Sequence, residues 1–600
     1  MIAILLSTCL SLFLFTTFGV FTTKLIKVPS SFVEKILIGF VFCNTITTIL
    51  SLFFAINIFV LFFLTGLGLL FFLRIKKELR MYIFSLQKNK RIIFYGLLFI
   101  LPALLISLGS PDNYDSSLYH IQSIKWIEEY PVIPGLANLH GRFGFNPNVF
   151  ILYALTSISS LFQQEIFSIN FTVFAILIFY FIHKLSSLYK QQGFSNLFIF
   201  HFFLFLIILR LPNLSSPSPD FLSTTIPLFI FARMLDLSGN EAKSDLKRYI
   251  PVLIISIYML TVKLATIPIL ILFLFLFIKH KSELKKTLWL IPVLSLIIIP
   301  WLIRNIIISG WLIYPFPSLD LFSFDWKVPL EDVIKEKESV TGWARNPGTH
   351  YTEAANMTFT DWFPIWWRRS DLFIRLFVVL SLFFPVIVLI GQLFKKIKID
   401  LYANAVIITS FIGVVFWFFF APCWRFGESF ILVASMSPLL VLKSNLKLSI
   451  NPKLIFIAIL VLILGHNTMG KTFIVVALVT ILVIYTLHLR KTYYKPNIVF
   501  GTLLALFLGS YIKIHYSDIK KNSREMLYSN RMIVPSRVEI PSNMNFSAYS
   551  LNGVDIYAPI EDNRCFDHCI PCTPYYPNPT LTLRGNTVKS GFKIRPKDKL

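Results

Sequence analysis

Charge is scarce in this chain. Only 14% of its 600 residues are charged, against 56% hydrophobic, and Phe alone fills 62 positions. That balance excludes an ordinary soluble domain, in which about a quarter of residues are charged. Acidic residues are scarcer still, 31 against 56 Lys and Arg, for a net charge of +25. In a soluble protein such an excess points to nucleic acid. Here the basic residues collect in short loops between apolar runs, so membrane topology accounts for them and no nucleic-acid partner is expected. Cysteine is also sparse, at six. Cys9, Cys43 and Cys423 lie in or beside apolar runs and read as packing residues. The opening segment, Met1 to Thr23, lacks the basic start of a cleaved signal peptide and reads as a retained span. No internal repeat or low-complexity tract stands out, and no compact His/Asp spacing suggests a zinc site.

Apolar runs of spanning length are what the chain has in abundance. They predict an all-α polytopic membrane protein with about sixteen transmembrane helices. The expected positions are 2–22, 36–54, 56–73, 92–108, 165–182, 194–211, 221–236, 249–261, 264–279, 287–304, 372–394, 402–420, 428–442, 452–467, 471–488 and 497–513. The strongest basic stretch, Arg74 to Arg91, is assigned to the cytoplasm by the positive-inside rule. The alternation that follows holds along the chain and puts both termini in the periplasm of a bacterial inner membrane. Asn148 to Phe162 is expected as a membrane-surface or half-inserted helix, because a further span would upset the charge pattern after it.

This divides the chain into N-terminal helices (1–108), a first outer loop (109–164), a helical core (165–304), a second outer loop (305–371), C-terminal helices (372–513) and a tail domain (514–600). The tail is turn-rich with alternating polarity, which predicts a small α/β or β-containing extracytoplasmic domain. All three polar regions share the outer side. A transporter needs access from both sides and ionisable groups near midplane, whereas this chain concentrates its polar chemistry on one face.

Several constellations fall on that face. Asp112 and Asp115, in DNYDSSLYH, lie just past a span, with His120 about one turn beyond Asp115. A carboxylate there suits a general base; the alternative is a helix cap, a role Asp commonly fills. Asp220, in SSPSPDFLSTT, is either another cap or a second acid in the same cleft. Lys263 sits at a break between two short apolar runs, and Arg304 and Arg425 are cations at the same level. Together they would suit a phosphate group, with snorkelling to lipid headgroups as the alternative for each. Arg142 is a further cation, in the first loop beside His140. Cys565, Cys569 and Cys572 can form one disulfide with one Cys left over. The run DWFPIWWRR reads as an interfacial aromatic belt, with sugar stacking on Trp366 or Trp367 as the sharper alternative.

The acidic motif, the broken pair of short spans carrying Lys263, the WLIRN segment leading to SGWLIYP, the APCWRF segment and the outer tail together resemble the GT-C superfamily of polytopic glycosyltransferases. More narrowly, YDSSLYHIQSIKWI followed by GLANLHGRFGFN resembles an uncharacterised bacterial membrane-protein family of Bacteroidetes and spirochaetes. The resemblance covers about residues 90–430. It implies inverting transfer of a sugar from a polyprenyl-phosphate carrier on the periplasmic face, with Asp115 or Asp112 as base and Asp115 favoured. Lys263, Arg304 and Arg425 would bind the carrier phosphate, with Arg142, Asp220 and His120 in the same substrate site. Metal use varies across the superfamily, so Mg2+ or Mn2+ is the cofactor it allows. The other partners implied are membrane lipids and a glycan, lipid or protein acceptor. The chain departs from the superfamily in having three extra spans before the acidic loop and a DxxD pair. The competing functions are an O-antigen polymerase or ligase, and a transporter or flippase for a lipid-linked glycan.

Overall fold

At 1.5 Å of rise per residue, a helix needs about 20 apolar residues to cross a bilayer core. In the computed structural model, which describes residues 1–192, 195–211, 214–238, 245–397, 399–441, 496–575 and 577–595, eight helices meet that length and composition. They are Ile2–Leu25, Phe32–Leu50, Ile58–Tyr82, Lys90–Ser107, Ile169–Gln191, Leu290–Ser309, Leu372–Leu393 and Leu401–Phe420. A pair bent by 109°, Leu264–Lys279 with Lys281–Thr287, raises the number to nine. The chain is therefore a multi-pass, membrane-embedded helical protein, and the expectation of sixteen spans is corrected. Expected spans 452–467 and 471–488 lie outside the described residues.

The excess has a physical cause. Apolar runs such as Ile250–Val262, 13 residues, and Asn196–Arg210, 15 residues, are too short for a full crossing and are instead buried among other helices. Expected span 428–442 is split between Trp424–Ser435 and Ser437–Val441. The basic stretch expected as a loop after Arg74 is largely helix, because Ile58–Lys88 runs unbroken for 31 residues and meets no Gly or Pro after Gly68. In the segment expected as a membrane-surface or half-inserted helix, every residue of Val149–Thr156 is buried, against Phe32–Leu50 and Ile121–Glu129.

Small residues set the closest helix contact. A Cβ on Gly19 would lie 1.7 Å from the Lys35 carbonyl oxygen, and one on Gly39 would lie 1.7 Å from that of Phe15. Helices Ile2–Leu25 and Phe32–Leu50 thus meet backbone to backbone, the packing that small residues allow in membranes.

Helix Pro219–Ser238 shows the bundle's polarity, with Asp220 in its first turn and Asp236 near its end, about 24 Å apart along the axis. The Asp236 end holds a buried ionic group. Arg233 Nε donates to Glu34 Oε1 at 2.8 Å, and Asp236 is 2.7 Å from Lys184 and 3.0 Å from His201.

At the Asp220 end the three polar regions form one layer. Arg142 of the first loop lies 3.4 Å from Glu336 of the second. Phe566 N–H of the tail donates to Ser117 O at 2.9 Å, and Arg584 Nε to Asp325 Oδ2 at 2.9 Å. The Met1 amine donates to Arg531 O at 2.7 Å. The tail contains the expected β structure as two antiparallel hairpins, Phe546–Leu551 with Val554–Pro559 and Leu581–Leu583 with Phe592–Ile594. Asn552 and Gly553, both at positive φ, close the first with the two-residue turn its twist favours. Cys565 and Cys572 are disulfide-bonded, and Cys569 is free and exposed.

Candidate functional site

A cavity of about 700 Å³ opens where this layer meets the helices. The first loop supplies its acidic wall. Ser116–His120 form a π-helical turn that runs into helix Ile121–Glu129; such turns are frequent at functional sites. Asp115 precedes the turn, but its side chain makes no capping hydrogen bond. Its backbone N–H is taken by Asn113 Oδ1 at 3.0 Å, and its carboxylate points into the cavity. The cap reading is therefore not what the side chain does.

Asp115 Oδ2 accepts a hydrogen bond from Arg425 Nη1 at 2.7 Å, and the same nitrogen lies 3.3 Å from Asp220 Oδ2. Asp220 Oδ1 accepts from Lys263 Nζ. Arg142 Nη1 lies 3.9 Å from Asp115 Oδ1, while its Nε is 3.4 Å from Glu336. Asp115, Asp220 and Glu336 thus interlock with Arg142, Lys263 and Arg425, balancing charge in a place where an unpaired ion would be costly. Burial alone would raise the Asp115 carboxyl, but the charges of Arg425 and Arg142 outweigh it and hold the group below the ordinary carboxylate range.

Local sequence explains each cation. Lys263 ends helix Ile250–Val262 in an extended conformation, φ −158° and ψ 123°, before the 3-10 segment Leu264–Leu270. The break frees Lys263 from the helix, and its ammonium lies 4.1 Å from the centre of the Phe426 ring. Arg425 stands in the first turn of Trp424–Ser435, reached through the extended residues Ala421 and Cys423. Its Nε–H is buried without a hydrogen-bond partner among the described residues. Arg142 is placed by its glycine neighbours: a Cβ on Gly144 would lie 2.6 Å from the Tyr314 ring, and one on Gly141 would lie 2.7 Å from Glu336.

His120 also lines the cavity. Its Nδ1 is 3.3 Å from Ser116 Oγ, and burial lowers it to about 4, so the ring is neutral near pH 7. It can exchange one hydrogen bond with a substrate but offers no charge.

Two expected residues lie elsewhere. Asp112 is exposed outside the cavity, so of the DxxD pair only Asp115 reaches it. Arg304 is buried, donating to Ser51 Oγ at 2.8 Å and Asn146 Oδ1 at 3.3 Å. It ties the first loop to the helices and is absent from the cavity wall. Trp366 is buried, with its indole N–H donated to Pro422 O at 2.7 Å, and neither it nor Trp367 lines the cavity. Trp343 does. Cys565, Cys569 and Cys572 are likewise absent from the lining.

Sequence reasoning passed over Glu336, Tyr119, Trp343, Asn563 and Tyr575. Tyr119 was inside the quoted motif, but a lone Glu in a polar helix and two tail residues carry no local signal. As for metal, Arg425 Nη1 occupies the space between the two carboxylates. Among the described residues no group of three or more His, Cys, Asp or Glu is placed to hold an ion. A Mg2+ or Mn2+ ion would have to displace the guanidinium, so the donor set fits an ion-pair network better than a divalent site.

Part of the lining is apolar. Phe416, Trp417 and Phe420 come from the spanning helix Leu401–Phe420, and Val262 and Leu264 flank Lys263. The fold and site together define a multi-pass membrane protein with an ionic cavity at one end of its bundle, lined in part by apolar helix surface. The chain belongs to the family described as Domain of unknown function (DUF8201), whose model matches residues 1–432. No curated protein and no solved structure matches it.

Proposed function

We propose that the protein is a membrane glycosyltransferase of the GT-C type, moving a sugar from a polyprenyl-phosphate carrier to an acceptor hydroxyl on the periplasmic face. The observation that carries this reading is the Asp115–Arg425 pair, 2.7 Å apart inside a cavity with a partly apolar lining. A carrier lipid needs apolar surface for its chain and cations for its phosphate, and the acceptor needs a base nearby. All three are present together.

In the transfer, Asp115 accepts the proton of the acceptor hydroxyl. The hydroxyl oxygen attacks the anomeric carbon from the face opposite the phosphate, so configuration inverts. The bond from that carbon to the phosphate oxygen breaks, and the electron pair leaves with the carrier phosphate. Arg425 and Lys263 stabilise the growing negative charge. Before substrate arrives, both cations are engaged by Asp115 and Asp220. A phosphate drawing Arg425 away takes the nearest counter-charge from Asp115 in a buried site, leaving Arg142 at 3.9 Å, and raises its proton affinity. The base is thereby strengthened only when donor is bound.

The test replaces Asp115 with Asn in a strain whose gene deletion changes its surface glycans, read by mass spectrometry. Asp115→Asn should reproduce the deletion profile. Restoration of the wild-type profile sinks the assignment of the base. An O-antigen ligase or polymerase would also use Arg and His, and His120 and Arg142 do line this cavity. Loss of chain length or of lipid attachment, with single repeat units still made, would favour that reading.

A further inference from the structure

The cavity also reaches into the polar layer, where the Arg425 guanidinium lies over the Trp343 ring, 5.4 Å from its centre. Its rim is aromatic and assembled from all three polar regions. Tyr114 comes from the first loop, Trp343 from the second, and Tyr575 and Asn563 from the tail. These rings stay in water: Tyr114 is 50% exposed, Trp343 52% and Tyr575 56%. Large exposed aromatics clustered on a water-facing surface mark a binding site. The rim is also fastened together at this point, because the Tyr114 hydroxyl donates to Asn563 Oδ1 and Arg564 lies over the Tyr114 ring at 5.1 Å.

We propose that this rim binds a glycan acceptor, and that the tail supplies specificity-determining residues in Asn563 and Tyr575. The inference rests on the transferase reading and names its acceptor class. Ring faces of Tyr and Trp cover the C–H face of a pyranose, while their polar edges and the Asn amide bond its hydroxyls. A lipid acceptor would call for aliphatic side chains, and the rim residues Tyr114, Trp343, Asn563 and Tyr575 are aromatic or polar. Lys337 lines the cavity beside the rim, while Arg564 is paired with Asp562, which suits a neutral or weakly acidic glycan and disfavours a cationic one.

The placement within the chain points the same way. Asp115, Asp220, Lys263, Arg142 and Arg425 all fall within the family match, residues 1–432. Asn563 and Tyr575 fall beyond it and reach only the rim. Tyr114 and Trp343 fall within the match, so the tail completes a rim whose other half belongs to the family.

The test uses the full chain in lipid nanodiscs. The probe is the oligosaccharide fraction released by mild acid from the envelope of the deletion strain, which carries the unmodified acceptor. A serine-rich hexapeptide is run in parallel, and binding is followed by saturation-transfer NMR. The expected result is saturation of the glycan, with affinity lowered at least tenfold by Tyr575→Ala and by Trp343→Ala. Tyr575→Phe, which keeps the ring face, should stay within about threefold of the native chain, and a folded Asn563→Ala variant should weaken binding independently. Asp115→Asn should bind glycan while failing to transfer. Absence of glycan binding, binding indifferent to all three truncations, or preference for the peptide overturns the inference. Continued transfer by Asp115→Asn overturns the base assignment instead, so the two failures are distinguishable.

Discussion

Arg425 offers a single nitrogen, Nη1, to two carboxylates, lying 2.7 Å from Asp115 and 3.3 Å from Asp220. Those residues are far apart in sequence, and each belongs to a different element. The guanidinium therefore joins the first loop, the helix at Asp220 and helix Trp424–Ser435 in one place. Its charge is the largest of those that hold the Asp115 carboxyl below the ordinary carboxylate range against burial.

That relationship predicts a pH shift. Burial favours the protonated form of Asp115, and Arg425 is the first of the charges opposing it. Arg425→Gln removes the opposing charge, so the acidic limb of kcat/KM should move to higher pH. Activity near pH 7 should also fall, by about 10²–10³-fold if the guanidinium stabilises the leaving phosphate. Kinetics from pH 4 to 8 check both effects, since the native chain should show no acidic limb in that range and the variant should show one. An acidic limb unmoved in the variant removes Arg425 from control of the base.

Arg304 should behave differently. Its bonds to Ser51 and Asn146 sit in a network with Trp301, whose indole N–H donates to Asn146 O at 2.9 Å. Arg304→Met leaves buried acceptors unmet and should cost about 1–3 kcal/mol of stability. KM for the lipid-linked donor should not change. Thermal unfolding together with donor titration separates the two. A tenfold rise in KM at unchanged Tm would return Arg304 to the phosphate site.

The contrast between Arg304 and Arg425 shows what the chain made legible. Asp115, Lys263, Asp220 and Arg425 could be placed on one face because each stands where an apolar run ends or breaks. Arg304 gave the same local signal, a cation after an apolar run, yet it points into a polar knot built around Asn146. Periodicity and hydropathy locate a residue along the membrane normal but not around the helix. The same blindness inflated the span count, since a 13-residue helix buried among its neighbours is as apolar as one that faces lipid. The rim was invisible for another reason. Trp343, Asn563 and Tyr575 converge only through tertiary contacts across more than 200 residues.

Two glycines should have separable effects. Gly39→Ala places a methyl 1.7 Å from the Phe15 carbonyl oxygen. Backbone cannot step aside locally, so the helices must part, at about 1–3 kcal/mol. Gly144→Ala meets the Tyr314 ring at 2.6 Å, and that ring forms cavity wall. The first variant should lose stability and retain transfer per folded molecule, while the second should lose transfer. Unfolding curves and specific activity on the same preparations check this. Equal loss of specific activity in both would separate Tyr314 from the chemistry.

Stability should also fall as pH rises through the neutral range, because of Glu128. Its Oε2 accepts from Ser159 Oγ at 2.9 Å. Burial first, then the neighbouring charge of Glu165, raises its carboxyl to about 8. The folded value thus lies above the unfolded one, about 4.3. The stability linked to this proton is complete below about pH 4.3 and is lost as pH rises through about 8. Tm should therefore decline from pH 5 to 9, and Glu128→Gln, which keeps the side chain neutral, should flatten the decline. At pH 9 the variant should be the more stable, and at pH 5 the two should nearly coincide. An unchanged slope in Glu128→Gln would place the proton elsewhere. Glu128 closes the helix that begins just after the turn following Asp115, so its ionisation loosens the segment that positions Asp115. Alkaline inactivation should accordingly precede global unfolding, and Glu128→Gln should delay it.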